Sequence, residues 1–359
     1  MKVGILGLPA SGKTTLFNLL TGSDADTTPF SSGKRGANLG VVRVPDDRLQ
    51  KVAGLFQSKK AVPAEISFVD LAGLPGAADR SGERAEDLLP YLRDADALAL
   101  VLRDFDSEQV PAPGGRVDPA ADLDEIRADL ILSDLAVVEK RLPHLEKEKK
   151  SGDPARKHEW ELLQKAKECL EEENRLAALG FDPEEKKLLA GYGFLTLKGI
   201  LVLRNVGEDR PTEAPPALVE RAAGLGAHLL SLNALLEEEI RELPEEERED
   251  LYKSYGIEGH GRRRFIRGAY EALDLITFFT ANQNEAHAWP IPRGTIAVHA
   301  AGKVHTDLER GFIRAEVIPC GILAELGGEK QAREKGRMRL EGKEYVVQDG
   351  DVMLIRFAV

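Results

Sequence analysis

Only two cysteines occur among 359 residues, Cys169 and Cys320, and they lie far apart. That scarcity excludes a disulfide framework and a cysteine-built zinc site, and a reducing, cytoplasmic setting fits best. No apolar run approaches the roughly 18 residues that a membrane span needs, so no membrane partner is expected. The opening Met1-Lys2-Val3-Gly4-Ile5-Leu6-Gly7 lacks a small-residue cleavage region and reads as a buried strand, not a signal peptide. Positive charge is also in deficit: Lys and Arg number 49 against 61 Asp and Glu, a net charge of -12. That balance argues against coating nucleic acid through bulk charge, while a local basic patch stays possible. What remains is ordinary globular composition, 42% hydrophobic and 31% charged, which excludes disorder along the whole chain. The length suits two or three domains of ~100–200 residues each.

Five short apolar runs, Val3 to Leu6, Ile66 to Val69, Ala97 to Leu102, Ile200 to Leu203 and His228 to Leu232, read as buried parallel strands. Helical patterns alternate with them, which predicts a doubly wound α/β sheet. Between the third and fourth runs, from about Asp118 to Leu189, the pattern is almost wholly helical. Leu123, Ile126, Leu130, Leu135 and Val138 keep helical spacing, and Ser151-Gly152-Asp153-Pro154 breaks the run. This predicts two long antiparallel helices with a tip near Gly152. Their balanced charges read first as solvated faces, with a partner-docking arm as the alternative. From about Leu275 short strand candidates return: Thr277 to Thr280, Thr295 to Val298, Ala315 to Ile318, Tyr345 to Val347 and Val352 to Ile355. A helical stretch from Gly321 to Lys335 completes a small α+β module.

The chemistry is most legible near the start. Gly7-Leu8-Pro9-Ala10-Ser11-Gly12-Lys13-Thr14 matches G-x4-G-K-[ST], after a strand and before the apolar helix that Thr15-Leu16-Phe17 opens. Glycines let backbone N–H groups face phosphates without a side-chain clash, and the helix N-terminus adds a positive dipole end. Lys13 is expected on the β- and γ-phosphates and the Thr14 hydroxyl on Mg2+. A second element, Asp70-Leu71-Ala72-Gly73, follows the second strand of the core. Its carboxylate suits Mg2+, and the Gly73 N–H suits the γ-phosphate. A third, Asn205-Val206-Gly207-Glu208, stands where GTPases carry N-K-x-D, with Val206 for the lysine and Glu208 for the aspartate. A longer carboxylate is misplaced for guanine's paired donors, whereas the Asn205 amide suits the N6/N7 edge of adenine. The motif therefore favours ATP and leaves GTP open. Ser231-Leu232-Asn233 is placed to close over the base.

These three elements, in this order, resemble the YchF / Obg-like ATPase family. The likeness continues through Leu275 to Thr280, Ala288-Trp289, His305 to Ile318 and Gln348 to Val352, which look like that family's C-terminal TGS (β-grasp) module. The resemblance implies an ATP-preferring P-loop hydrolase associated with ribosomes. It also implies Leu74 where Ras-like GTPases carry a water-orienting glutamine.

Three departures from the family pattern stand out. The family's P-N-V-G-K-S reads Pro9-Ala10-Ser11-Gly12-Lys13-Thr14 here, so Ala10 removes a possible ligand for a monovalent cation. The first switch, Pro29 to Asn38, is altered, and Ser32 becomes the candidate for the Mg2+ position. The histidine proposed to serve family catalysis aligns with Ala112. Low intrinsic turnover is expected. Arg80, Arg84 and Arg116 are candidate transition-state cations, although such arginines are usually solvated. The basic cluster Arg262-Arg263-Arg264 with Arg267 suits ribosomal RNA phosphates or a balanced helix face equally. His287, His299 and His305 read as hydrogen-bonded histidines and not as metal ligands.

The expected architecture has three parts. A P-loop nucleotide domain covers 1–117 and 196–273, a helical arm is inserted at 118–195, and a TGS-like domain covers 274–359. The leading function is a monomeric nucleotide switch that slowly hydrolyses ATP or GTP. The alternative is a hydrolysis-deficient, nucleotide-gated binding module, and a metabolic kinase is disfavoured because no second-substrate pocket is evident.

Overall fold

The computed structural model describes residues 1–22, 27–29, 38–70, 84–108, 110–112, 115–148, 153–211, 213–254 and 260–358. The strands are β1 (Lys2–Leu6), β2 (Thr27–Pro29), β3 (Asn38–Arg43), β4 (Lys60–Val62), β5 (Glu65–Asp70), β6 (Ala97–Asp104), β7 (Gly199–Val206), β8 (His228–Leu232), β9 (Leu275–Ala281), β10 (Glu285–Pro292), β11 (Phe312–Pro319), β12 (Arg339–Glu341) and β13 (Asp351–Phe357).

Seven strands form one sheet in the order β2-β3-β5-β1-β6-β7-β8. The pairs β5–β1, β1–β6, β6–β7 and β7–β8 are parallel, and only β2–β3 is antiparallel among the pairs described. All eight residues of β6 are buried. A continuous Ala/Leu/Val run fits a strand covered on both faces, which is why all five predicted core strands are present. The chain leaves β1 for β5 on one side and reaches β6 on the other. Strand order therefore reverses beside the carboxyl end of β1, where open α/β sheets form their crevice.

The helical insertion is also as expected. Pro119–Glu148 and Pro154–Glu171 are helices, and the tip residues 149–152 lie outside the described residues. The carboxylates of Asp118 and Asp153 accept the N–H groups of Ala121 and Ala155, so each Asp-Pro pair starts its helix. The pairing is antiparallel: Arg127 donates to Glu173 O and Arg141 reaches Glu159, so later residues of the first helix meet earlier residues of the second. Val138, Leu142, Leu145, Leu162, Leu163 and Ala166 share the arm's own core.

Chain contacts divide the molecule into two compact units, 1–40 with 67–264, and 41–66 with 265–359. The arm groups with the nucleotide unit. Residues 41–66, expected in the nucleotide domain, instead group with the C-terminal unit, as do 265–273. The reason is edge pairing: β4 runs parallel to β10, with Lys60 opposite Glu285 and Val62 opposite His287. The second sheet reads β12-β11-β13-β9-β10-β4. Two expected strands are absent from it. Ala297–Val304 is a helix, and Val346 makes only an isolated bridge to Ile296. Three alanines and two valines there give a small apolar stripe that packs into the C-terminal core, which outweighs the strand reading of Thr295 to Val298. No helix among the described residues is long and apolar enough to cross a membrane.

Asp134 ties the arm's base to the chain that re-enters the sheet. It is fully buried and accepts from Leu195 N (3.0 Å), Thr196 N (2.8 Å) and Thr196 Oγ1 (2.8 Å). Burial pushes its carboxyl upward against the pull of those donors. Asp134→Ala is expected to cost about 2–4 kcal/mol by orphaning buried N–H groups, with Asp134→Asn milder. Urea denaturation followed by circular dichroism measures both; equal stability of all three chains contradicts this role.

Candidate functional site

The site is built where β1 ends. Gly7 has no room for a side chain, since a Cβ would come within 2.3 Å of Val101 O and 2.6 Å of Ser11 Oγ. Gly12 caps the helix Lys13–Thr21 at φ 93°, and a Cβ there would meet Asn205 Nδ2 at 2.1 Å. Both glycines of the motif are thus demanded by close approach, and Gly12 also by its left-handed backbone. Ala10 adopts φ 61°, left-handed without being glycine.

Lys13 is buried, and its ammonium donates to Gly7 O (3.0 Å) and Leu8 O (2.8 Å), so two of its three N–H bonds hold the loop. Burial lowers its pKa from 10.5 to about 8, opposed by the charge of Asp70. Asp70, 1% exposed at the end of β5, faces it. Thr14 Oγ1 donates to Asp70 Oδ2 at 3.4 Å, and Asp70 Oδ1 is buried with no hydrogen-bond partner. Burial pushes the Asp70 carboxyl up, opposed by Lys13. A buried carboxylate oxygen lacking a donor, beside a hydroxyl, is a hard-oxygen set that fits Mg2+. Thr14 and Asp70, both expected at the metal, are therefore brought together. Ser32, Gly73, Leu74 and Arg80 lie outside the described residues.

Pro9 and Thr14 are exposed at the loop, Ser11 is buried, and Thr15 is partly covered. On the base side Asn205 is buried and each end of its amide makes one bond: Nδ2 donates to Ser11 O (3.0 Å), and Oδ1 accepts from Ala234 N (3.1 Å). It clamps the phosphate loop to the segment after β8, a role that the motif does not announce. Asn233 likewise spends its side chain as the cap of Ala234–Glu242, accepting from Leu236 N at 3.0 Å, and Leu232 is buried in the core. Ser231 Oγ receives Arg204 Nη1 at 3.4 Å. Val206 is half-buried and Glu208 is exposed on the turn after β7.

Two buried arginines were not singled out by motif reading. Arg204 pairs with Asp104 at 2.6 Å and donates to Pro211 O and Glu213 O, fixing the turn that carries Glu208. Arg103 reaches Ala10 O. Their signal was visible in the sequence as two charges ending otherwise apolar strands. Arg116 lies 4.0 Å from Asp122, a solvated pairing. The basic helix is partly engaged with the fold, since Arg262 donates to Leu20 O and Arg264 to Ser231 O. His287, His299 and His305 each lie beside a carboxylate, and no metal-binding cluster of three such ligands occurs among the described residues.

Comparison with known proteins matches both ends of the chain. A family model described as 50S ribosome-binding GTPase covers residues 2–139. A model for the C-terminal part of YchF GTPases, described as a protein of unknown function, covers 275–358. The chain is 40% identical to the ribosome-binding ATPase YchF of Bacillus subtilis, over all of both chains. It is 39% identical to the protein of that name from Escherichia coli O157:H7, over all of this chain and 99% of the other. The solved YchF GTPase of Schizosaccharomyces pombe superposes with a TM-score of 0.84 at 28% identity, covering 99% of this chain and 97% of that one.

Two predictions follow from the geometry. Phosphates restore the Lys13 charge, so the bound state holds its proton above pH 8. Nucleotide affinity is then fully present below about 8 and falls up to about tenfold per unit above it. Calorimetry at pH 9 in buffers of different ionisation enthalpy should register proton uptake, lost in Lys13→Met. Separately, Asn205→Ala should weaken ATP and GTP binding by similar factors, because a clamp rather than a base contact is removed. A selective loss of ATP would restore the base-reading role.

Proposed function

The chain belongs to the YchF family, and from that premise we propose that it is a nucleotide-dependent switch that binds ATP with Mg2+, hydrolyses it slowly and acts on the ribosome. The observation that carries the nucleotide reading is the Lys13–Thr14–Asp70 group beneath a left-handed glycine loop. A charged lysine, a hydroxyl and an unpartnered carboxylate oxygen share one crevice at the carboxyl edge of a parallel sheet. Support for ATP comes from the names of the relatives and from Glu208 in place of the guanine-reading aspartate. Support for the ribosome comes from those names and from the description of the matching N-terminal family model.

Hydrolysis is in-line attack by water on the γ-phosphate. Lys13 and the loop's N–H groups stabilise the charge that develops on its oxygens. Thr14 and Asp70 would hold Mg2+, which when bound neutralises phosphate charge. Ala112, at the place of the family histidine, offers only a methyl group and no base for the water. That observation favours a second reading, a nucleotide-gated binding module whose output is partner binding and not turnover.

Calorimetric binding of ATP and GTP with Mg2+, followed by phosphate release with and without ribosomes, decides between them. Tight ATP binding with slow release that ribosomes accelerate is the expected result, and Lys13→Ala should weaken binding about 10- to 100-fold. Tight binding with no release in either condition favours the gated module. Absence of nucleotide binding overturns both.

A further inference from the structure

Val206 leaves the third motif without its cation, yet a buried guanidinium ends the neighbouring strand. Arg103 is in register with Asn205 across β6 and β7 and is 3% exposed. All three of its nitrogens are engaged: Nε donates to Phe105 O (3.0 Å), Nη1 to Ala10 O (3.2 Å) and Nη2 to Val110 O (2.6 Å). The guanidinium carbon lies 4.4 Å from the centre of the Phe105 ring. Each acceptor is a neutral carbonyl, so these three contacts orient the guanidinium without forming an ion pair. One of them belongs to Ala10, whose left-handed backbone an alanine seldom adopts unaided. Such a residue persists where its surroundings over-determine it, and such residues gather at ligand clamps.

We propose that Arg103 is a positioning residue of the nucleotide site. It is a fixed positive charge behind the phosphate loop, on the face of the sheet that it shares with Asn205. It holds Ala10 in the conformation that aims the loop's N–H groups, and it ties that loop to the carbonyls of Phe105 and Val110. An arginine suits this because three donors in one rigid plane can serve three carbonyls at once, which an ammonium on a flexible stem cannot.

This inference rests on the nucleotide-binding reading above, so the test begins with the unaltered full chain. A fluorescent ATP analogue with Mg2+ is titrated into that chain and into R103Q and R103K, with thermal melting of each. R103Q is expected to bind about 10- to 100-fold more weakly, and R103K about tenfold. Affinities are compared at a temperature where every melting curve shows the folded chain, so a merely structural arginine would lower the melting temperature and leave the affinity unchanged. If the unaltered chain binds no nucleotide, the functional reading fails and this inference with it. If that chain binds and R103Q binds equally, the inference alone fails. Should R103Q not fold, R103K decides, and native affinity in R103K overturns the proposal.

Discussion

One carboxamide holds the site together. Asn205 donates to the phosphate loop at Ser11 O and accepts from Ala234 N after β8, while a hypothetical Cβ on Gly12 would collide with it. Three segments distant in sequence therefore meet at a single buried side chain. A buried amide with both ends satisfied is rigid, and a half-satisfied one is costly. The loop that would face phosphates and the segment that would flank the base thus move together or not at all. The requirement for glycine at position 12 is part of the same constraint, since the amide occupies the space a side chain would need.

Around that clamp the carboxyl edge of the sheet concentrates buried charge: Lys13, Asp70, Arg103, Asp104 and Arg204 are all buried. Buried ions are weak contributors to stability, and an equally shaped apolar edge would often be as stable or more so. Arg204 and Asp104 are compensated at 2.6 Å, with Arg204 also bonded to backbone carbonyls. Lys13 and Asp70 are compensated poorly: burial lowers the first and raises the second, each shift disfavouring the charged form. A polyanion with a divalent cation supplies the missing charge to both. The stability cost is therefore concentrated at the groups whose environment a nucleotide would improve.

The core strands and the glycine loop were legible because each is a local signal. A buried parallel strand is a continuous apolar run, and a phosphate loop has fixed spacing before a helix. The arm was legible through helical spacing and two Asp-Pro starts. What escaped was non-local. Nothing in Lys60-Ala61-Val62 announces that it will pair with Glu285 to His287, more than two hundred residues away, so the grouping of 41–66 with the C-terminal unit is not legible in the sequence. Thr295 to Val298 reads as a strand by propensity, yet a helix starts at Ala297 through packing on the C-terminal core. Asn205 is legible as a site residue, but its clamp is not. A carboxamide suits a base edge and a backbone clamp equally well, and only the positions of Ser11 and Ala234 reveal the clamp.

The left-handed Ala10 connects these themes. Asparagine tolerates that region better than alanine because its short polar side chain can bond locally. Where the family pattern has asparagine, this chain has lost that local help and keeps the conformation at a cost of about 1–2 kcal/mol. The loop carbonyl of the same residue receives Arg103 at 3.2 Å, and Ser11 N closes a turn onto Leu8 O at 3.3 Å. A charge-assisted bond of this kind contributes about 1.5–3 kcal/mol when buried, enough to offset the strain. The substitution therefore shifts the work of shaping the loop from its own side chain to the neighbouring strand. That shift links the geometry of the phosphate loop to β6 and to the carbonyls of Phe105 and Val110, in the stretch that leads to Ala112.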